Sequence, residues 1–209
     1  MSPPPNDAVP AGRRAEYARA TQRAILDAAR DLFVRKGYFG AKVEEIARTA
    51  RVAPATVYAV GGGKSGLLRT LIESGTTAED VVAVLATMES IDDPRELVLF
   101  VVRSTRLVFE QWSDLMRQVA AAAPQEPTVR ESQRVAHAGM RGGLARAAQR
   151  LADLGALRED VDVARATDLF WLHLCNAAYF IRTDDLGWSL DESETWLAEA
   201  LPAALLARP

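Results

Sequence analysis

A glycine-rich segment that ends in lysine and serine, VYAVGGGKSGLL over residues 57–68, has the residue types of a phosphate-binding loop. Such a loop in nucleotide-binding proteins needs a glycine, four further residues and then Gly-Lys-Ser/Thr, directly after a buried strand. Gly63, Lys64 and Ser65 match the end of this pattern, but Tyr58 occupies the place of the first glycine. The preceding residues have the pattern of a short helix rather than a strand. The sequence therefore does not favour a nucleotide-binding loop.

Residues that could ligate a metal or act in catalysis are few and scattered. The chain has two histidines, His137 and His173, and one cysteine, Cys175. A metal centre needs several ligands at defined spacing, and covalent catalysis needs a nucleophile beside a base. Neither spacing is present, and a buried helical face accounts for His173 and Cys175. We therefore expect no catalytic residues, no metal, no cofactor and no enzymatic activity, with an all-helical enzyme as the disfavoured alternative.

Residues 43–60, VEEIARTARVAPATVYAV, have the spacing of two short helices joined by a three-residue turn. Two such helices cross closely and need a small residue at their contact, where Ala47 lies. The second helix would begin at Pro54, because proline is favoured at the first helical position. Its remaining face is small and polar enough to enter a major groove. The branched apolar residues that would fill the angle between the helices are Ile46, Val52, Val57 and Val60. A helix-turn-helix is favoured over a plain helical hairpin.

The two parts of the chain differ in charge. Residues 1–66 carry 11 Lys and Arg against 6 Asp and Glu, whereas residues 67–209 carry 14 against 22. A basic N-terminal part joined to an acidic remainder indicates that only the first part meets a polyanion. One cysteine fits a reducing compartment, and no apolar run is long enough to span a bilayer. We expect a cytoplasmic protein with no membrane partner.

Helices must position these residues, because no segment has the alternating pattern of a strand. We predict an all-α fold of about nine helices, with a three-helix N-terminal bundle and a larger C-terminal helical domain. Residues 1–12 are predicted to be a disordered tail, residues 13–66 a helix-turn-helix domain that meets DNA, and residues 67–209 a larger helical domain. The helices outside the helix-turn-helix are predicted over residues 21–37, 64–88, 94–112, a shorter one ending before Pro124, 128–154, 163–182 and a last one from Ser189.

Residues 21–72 resemble the N-terminal domain of the TetR family of bacterial transcriptional regulators. The matching elements are AILDAARDLF, the KGY turn, EEIA, RVAPATVY and a lysine six residues after Tyr58. The C-terminal stretch LGWSLDESETWLAEAL is similar to the last helix of many members. The resemblance implies a three-helix DNA-binding head on a six-helix body that binds a small-molecule effector and forms a homodimer.

The resemblance also implies roles on double-stranded DNA. Ala55 and Thr56 would face bases, whereas Tyr58 and Lys64 would contact phosphates. Phosphate contacts set the position of a protein on DNA, and base-edge contacts set its sequence preference. The expected DNA-binding residues are Arg23, Lys42, Arg51, Pro54, Ala55, Thr56, Tyr58 and Lys64.

Three positions depart from the family pattern. Lys42 stands where the family usually has a capping Ser or Thr, and such a cap contributes about 1 kcal/mol. Arg51 stands where the family usually has glycine, and a left-handed non-glycine residue costs roughly 1 kcal/mol. Gly61 stands where the family usually has an aromatic core residue. We expect Lys42 and Arg51 to offer charge to phosphate, and Gly61 with the next two glycines to form a hinge.

The larger domain is expected to hold an effector pocket and a dimer interface. In this family the last two helices form a four-helix bundle with those of a second copy. The candidates for that interface, or for the core behind it, are Leu169, Phe170, Leu174, Ala177, Tyr179, Ile181, Trp196, Leu197, Leu201 and Leu205. The candidate effector-lining residues are Leu107, Phe109, Trp112, Met116, His137, Met140, Trp171, His173 and Tyr179.

The sequence thus predicts a ligand-responsive transcriptional regulator. We expect a repressor that binds a palindromic operator as a homodimer and is released by a small apolar or aromatic molecule. The alternative is a helical protein-interaction module that has lost DNA binding, because Lys42, Arg51 and Gly61 depart from the family pattern.

Overall fold

A computed structural model describes residues 11–74 and 78–207 of the chain. Within these residues the prediction of an all-α fold is confirmed, and the only extended pairing is an isolated bridge between Leu157 and Leu206. The helices are α1 (Ala11–Gly40), α2 (Val43–Ala50), α3 (Pro54–Gly61), α4 (Lys64–Ser74), α5 (Ala78–Glu89), α6 (Pro94–Ala122), α7 (Pro127–Asp153), α8 (Val163–Leu174), α9 (Asn176–Phe180), a π-helical turn (Ile181–Asp185) and α10 (Leu190–Leu205).

The chain forms two compact units. The head contains the chain as far as Ile72 together with residues Gln118–Arg130. The body contains Glu73–Arg117 and the chain from Glu131 onward. The end of α6 and the start of α7 therefore belong to the head, although the rest of both helices lies in the body. Residues 1–10 of the predicted tail lie outside the described residues, whereas Ala11 and Gly12 already belong to α1.

The apolar face predicted for the first helix forms the core of the head. Ile25, Ala28, Ala29, Leu32 and Phe33 are all buried. Spacings of three and four residues place these side chains along one stripe of a helix, which is how the sequence specifies the packing. The same helix starts earlier than predicted, at Ala11 instead of Thr21. Ala, Arg and Glu, which favour helix, are most of its first six residues, AGRRAE, which also include Gly12.

Gly37 interrupts the regular backbone of α1. Its φ of 74° and ψ of 159° fall outside the helical region and divide the element at a kink. A positive φ suits glycine because it has no Cβ. The prediction that the regular helix stops at this residue is confirmed. After the kink, Tyr38 turns inward and is 1% exposed.

The body differs from the predicted helix boundaries in three places. Residues 94–122 form one continuous helix, α6, where two were predicted. The helix predicted over 163–182 is broken at Cys175, whose ψ of 159° is extended, and continues as α9 and the π-helical turn. A proline inside a helix is expected to bend or end it, but the last helix continues past Pro202 to Leu205. The helix predicted over 64–88 is described as α4 and α5, and residues 75–77 between them lie outside the described residues.

Helix caps in the body follow the sequence signals. Asp93 accepts a hydrogen bond from the Glu96 N–H at 2.7 Å, at the start of α6. At the start of α10, the Ser189 hydroxyl accepts from the Glu192 N–H at 3.2 Å, and Glu192 accepts from the Ser189 N–H at 2.7 Å. This reciprocal pair is the predicted capping box. The caps satisfy N–H groups that have no partner inside their helices.

A contiguous apolar core fills the body. Phe109 of α6 stacks on Tyr179 of α9, with ring centroids 4.2 Å apart. The fully buried members contributed by the last helices are Ala166, Phe170, Leu174, Leu197, Leu201 and Leu205. Several residues predicted for the dimer interface or its supporting core are therefore core residues of a single chain.

Candidate nucleic-acid interface and interior of the body

The helix-turn-helix in the head has the predicted construction. Ala47 of α2 is 1% exposed at the crossing, and Val57 of α3 is 0% exposed. The Val52 N–H donates to the Ala47 carbonyl at 2.9 Å, which closes the turn. Ala47, Ile46 and Val57 are buried between the two helices and Val52 is half-buried, as their spacing predicted. The prediction was wrong for Val60, which is 37% exposed on α3.

Helix α3 presents a small, accessible surface on the side opposite Val57. Pro54, Ala55 and Tyr58 are exposed, and Thr56 is half-buried. Tyr58 is 54% exposed although it is a large aromatic residue. Pro54 occupies the first turn, where its missing N–H costs no helical hydrogen bond. This surface has no bulky aliphatic side chain that would keep it from entering a groove.

Basic residues lie at the ends of these helices and on α1. Lys42 is the N-cap residue of α2; it is exposed, and its side chain makes no cap hydrogen bond. Arg51, at the C-terminal end of α2, has φ 57° and ψ 42°. The predicted left-handed conformation of Arg51 is therefore present, and its N–H donates to the Arg48 carbonyl at 3.2 Å. The side chains of Arg51 and Arg23 are exposed.

The glycine-rich turn is a closely packed junction rather than an open loop. A Cβ on Gly61 would lie 2.3 Å from Cδ2 of Leu67, and a Cβ on Gly66 would lie 1.8 Å from the Gly61 carbonyl oxygen. Leu67 is 0% exposed, so the apolar volume beside Gly61 is filled from α4. Gly62 and Gly63 have φ values of 65° and 92°, which favour glycine. The core contact that an aromatic residue would supply thus comes from Leu67.

Lys64 has a partner inside the head. Its ammonium donates to the backbone carbonyl of Tyr38 at 2.9 Å and lies 4.7 Å from the centroid of the Tyr38 ring. Burial raises the pKa of the Tyr38 hydroxyl, and the carboxylate of Glu126 raises it further. A phosphate contact by Lys64 stays a prediction, and such a contact would compete with this intramolecular bond.

Gln118 joins the same cluster from the end of α6. Its Oε1 accepts a hydrogen bond from the Tyr38 N–H at 3.0 Å. No local pattern in the sequence identifies Gln118 or Glu126 as partners of Tyr38, because they are far from it in the chain. The KGY turn is the only local sign that Tyr38 needs a partner, because a kink at glycine leaves the N–H of the next residue free for a side-chain acceptor.

Four of the residues predicted to line an effector pocket form two separate pairs of rings. Phe109 stacks on Tyr179, whereas His137 lies 5.3 Å from Trp171 between ring centroids. Met116, Met140 and Trp171 are partly buried against the body core. Trp112 is also half-buried.

Two of the predicted lining residues face elsewhere. Leu107 is 65% exposed. Two residues correspond to about 200° around a helix, so Leu107 lies on the opposite side of α6 from buried Phe109. His173 is 5.7 Å from Trp196 between ring centroids, and its Nδ1 lies 2.8 Å from the Leu169 carbonyl oxygen. His173 thus lies beside α10 and Leu107 lies on the surface, apart from the two aromatic pairs.

Four buried polar atoms among the described residues of the body lack a hydrogen bond. They are Nε2 of His137, Nε of Arg150, the hydroxyl of Tyr179 and Nη2 of Arg182. Burial lowers the pKa of His137 and raises the pKa of Tyr179 to about 12. Unsatisfied buried polar groups are uncommon in folded proteins, so each needs an explanation.

Two surface clefts of the body are lined by other residues. One, of about 490 Å³, is lined by residues that include Ile91, Phe100 and Arg103. The other, also about 490 Å³, includes Leu99, Arg106 and Ala198. None of the predicted effector-lining residues borders either cleft.

Comparison with known proteins identifies the head. Residues 25–71 match the family described as bacterial regulatory proteins, tetR family. YdeS of Bacillus subtilis strain 168, described as an uncharacterized HTH-type transcriptional regulator, is 28% identical over 156 residues, which cover 72% of this chain and 74% of YdeS. Residues 25–71, which match the family, contain α2, α3 and the glycine-rich turn.

Solved structures share the fold over about nine-tenths of the chain. A protein from Saccharomonospora viridis in complex with choline has a TM-score of 0.71 and 22% identity, over 91% of this chain and 100% of that one. The SmeT–triclosan complex has a TM-score of 0.70 and 21% identity, over 90% of this chain and 92% of the other. The similarity at this level of identity concerns the fold.

Two further features concern the described residues alone. None of their helices combines the length and the apolar character needed to cross a membrane. No group of three or more His, Cys, Asp or Glu side chains in this part of the chain is placed to hold a metal ion.

Proposed function

Because the chain is a transcriptional regulator of the TetR family, we propose that it binds operator DNA through α2 and α3 as a homodimer and leaves the operator when an effector enters the body. The observation that carries the DNA-binding part is the exposed face of α3. Val57 holds this helix against the head core, while Ala55, Thr56 and Tyr58 remain available for contact. A recognition helix needs this combination of a fixed back and an accessible front.

Charge supports the same assignment. Arg23, Lys42 and Arg51 lie exposed on the elements next to α3, in the basic part of the chain. Cations near the recognition helix supply the salt-sensitive phosphate contacts on which DNA affinity depends. Ala55 and Thr56 would contact base edges, and Tyr58 with these cations would contact phosphates.

Exposed apolar residues near the C-terminus support a homodimer. Leu172 is 66% exposed, Ile181 53%, Leu186 58% and Trp196 41%. Large apolar side chains grouped on α8, the π-helical turn and α10 are typical of an interaction surface. A second copy of the chain is the proposed occupant. Two heads would then contact half-sites about 34 Å apart, which predicts a palindromic operator.

The repressor role and the apolar or aromatic effector are proposed from the composition of the body. Its interior is apolar, contains the stacked pair Phe109–Tyr179 and includes several unsatisfied polar atoms. A largely apolar interior with a few polar groups suits a small-molecule site. The effector would act through its different affinity for the DNA-bound and the released conformations.

Helix continuity supplies a route for the response. Helix α6 contains Phe109 in the body and Gln118 in the head, and the Gln118 side chain accepts a hydrogen bond from the Tyr38 N–H. The Tyr38 carbonyl in turn accepts a hydrogen bond from the Lys64 ammonium. A displacement of α6 by the effector would therefore alter the environment of Tyr38 and Lys64.

Selection of DNA from a random pool by gel shift tests the proposal. We expect a palindromic sequence to be enriched, and we expect its affinity to fall steeply with salt. The control is a scrambled duplex of the same length and composition. If no sequence is enriched and binding does not depend on salt, the chain is not a DNA-binding regulator of the proposed kind.

A further inference from the structure

Arg182, in the π-helical turn, is a buried cation with an unusual set of partners. The residue is 6% exposed. Its Nε donates to the Ser193 hydroxyl of α10 at 2.7 Å, while its Nη2 is buried without a hydrogen bond. Ser193 is neutral and 0% exposed, so this hydrogen bond does not balance the charge of Arg182.

Carboxylates on the neighbouring segments have other partners. Asp184 forms two hydrogen bonds with Arg117, at 2.9 and 2.6 Å. Asp191 and Glu194 each form an ion pair with Arg106 at 2.6 Å. Glu192 is held in the capping box of α10. Arg182 makes no ion pair within the described residues, even though the surrounding sequence is acidic.

Aromatic rings partly compensate for the missing anion. Cζ of Arg182 lies 4.6 Å from the centroid of the Tyr179 ring and 6.0 Å from that of Trp196. A cation beside an aromatic face is stabilised by the ring quadrupole. The Tyr179 hydroxyl is also buried without a hydrogen bond that meets the usual geometry, and it interacts with the Arg182 guanidinium. The charges of Glu194 and Arg106, which pair with each other, also act on Tyr179. Two donors without a geometric hydrogen bond therefore lie side by side.

An uncompensated buried charge is costly. Burial lowers the pKa of Arg182, because desolvation disfavours the guanidinium cation. Arginine nevertheless remains protonated in proteins, so the charge must be balanced by other means. The π-helical geometry of Ile181–Asp185 adds a second signal, since such turns are rare and occur frequently at functional sites.

We propose that Arg182 and Tyr179 bind the carboxylate of a monocarboxylic acid with an apolar skeleton. The carboxylate oxygens would accept hydrogen bonds from Nη2 of Arg182 and from the Tyr179 hydroxyl. One guanidinium balances one negative charge, which favours a monoanion over a phosphate dianion. The skeleton would lie among the apolar side chains around Phe109 and Phe180, whose ring centroids are 5.5 Å apart. This inference rests on the proposed function, because it names the chemical class of the effector.

Entry of the acid requires a local opening of the body. The segment that carries Tyr179 and Arg182 begins at the extended residue Cys175 and ends in the π-helical turn. Both departures interrupt the α-helical geometry between α8 and α10, so the proposed opening would take place in this segment.

Binding of matched acids and alcohols to the full chain tests the inference. The probes are benzoate and octanoate, with benzyl alcohol and octanol as neutral counterparts, measured by tryptophan fluorescence. We expect the wild type to bind at least one acid about tenfold or more tightly than its alcohol, because the hydrogen bonds involve charged groups. Arg182→Met should bind the acid no better than the alcohol. Arg134→Met, which removes an exposed cation on α7, should keep the preference.

A second variant keeps the test valid if Arg182→Met does not fold. Tyr179→Phe preserves the ring and removes only the unpaired hydroxyl, so acid affinity should fall about fivefold while alcohol affinity is unchanged. Absence of any preference for the acids in the wild type overturns the inference. An undiminished preference in Arg182→Met, or unchanged acid affinity in Tyr179→Phe, overturns it as well.

Operator release by the same acids separates this inference from the proposed function. Operator binding that persists in every acid, together with Arg182-dependent acid binding, overturns the effector role of the site. Operator binding without any preference for acids overturns the inference and leaves DNA binding intact. If the chain binds no operator, the proposed function fails even where the acid site is present.

Discussion

The side-chain oxygen of Gln118 accepts a hydrogen bond from the backbone N–H of Tyr38 at 3.0 Å. The kink at Gly37 frees this N–H from the helical pattern, and a side chain near the end of α6 satisfies it. The Tyr38 carbonyl accepts from Lys64 at 2.9 Å, at the start of α4. A single residue thus connects α1 with two other helices of the head.

Replacing Gln118 with alanine should destabilise the head. The buried Tyr38 N–H would lose its acceptor, and an unsatisfied N–H costs about 1–3 kcal/mol. Urea unfolding measures the loss. Gln149→Ala is the matched control, because Gln149 bonds only exposed Asp153 on its own helix and should change stability by less than about 0.5 kcal/mol. Equal stability of the two variants would contradict the structural role of Gln118.

Gly66→Ala should be far more destabilising than Gly142→Ala. A Cβ at Gly66 would lie 1.8 Å from the Gly61 carbonyl oxygen, whereas a Cβ at Gly142 would meet no atom within 4 Å. We expect Gly66→Ala to cost more than about 2 kcal/mol, and Gly142→Ala to stabilise α7 by up to about 1 kcal/mol. Thermal unfolding of both variants checks the contrast. Similar melting temperatures would show that α3 and α4 do not approach closely.

Arg51→Gly should separate stability from DNA binding. Glycine relieves a left-handed conformation that costs roughly 1 kcal/mol, so the free energy of unfolding should rise. If Arg51 contacts phosphate, the slope of log affinity against log salt should fall by about one. Fluorescence anisotropy over a range of salt concentrations measures this slope. A more stable variant with an unchanged slope would remove Arg51 from the interface.

The ion pair between Arg117 and Asp184 should make the free energy of unfolding depend on pH in the acidic range. Arg117 lowers the pKa of Asp184 from 3.8 to about 2. A carboxyl group with a depressed folded-state pKa stabilises the fold above its unfolded pKa and loses this effect as pH falls through the folded value. The window is therefore about pH 4 to pH 2, and exposure limits the contribution to about 1 kcal/mol or less.

Asp184→Asn should remove this part of the pH dependence. The stability difference between wild type and variant, measured by urea unfolding, should shrink as pH is lowered through the window. Asp160→Asn provides a comparison at an exposed pair with Arg158 elsewhere in the body. A difference at Asp184 that stays constant with pH would contradict the pairing.

Local patterns predicted the helix-turn-helix well because its determinants are close in sequence. Ala47 and Val57 are buried where the three- and four-residue spacing placed them, and Arg51 has the predicted left-handed conformation. The capping box at Ser189 is also a signal contained within four residues. Each of these features depends on neighbours along the chain, which a single sequence displays directly.

Features that depend on distant residues could not be predicted. Gln118 reaches Tyr38 only after the chain has folded, and no composition signal joins them. Gly61 stands where an aromatic core residue was expected, which suggested a gap in the core. The sequence does not show that the Leu67 side chain occupies the space beside Gly61. Glycines inside a helix, such as Gly142 and Gly143, can mark close packing or a kink, yet α7 is continuous and has open space beside both.

The proposed effector site was the least predictable part. Phe109 and Tyr179 were identified by residue type and are stacked, whereas Arg182 was not identified. An arginine in an amphipathic segment is normally exposed, so only the structure reveals its burial beside Ser193.

Affinity of the double variant Thr56→Ala/Tyr58→Ala for the selected operator tests the central claim most directly. Both side chains lie on α3 away from the head core, so stability should change little. Fluorescence anisotropy should show a loss of affinity of about tenfold or more relative to the wild type. Arg134→Ala, in the body, should bind as the wild type does. Wild-type affinity in the double variant, with its fold intact, would contradict the assignment of α3 as the recognition helix.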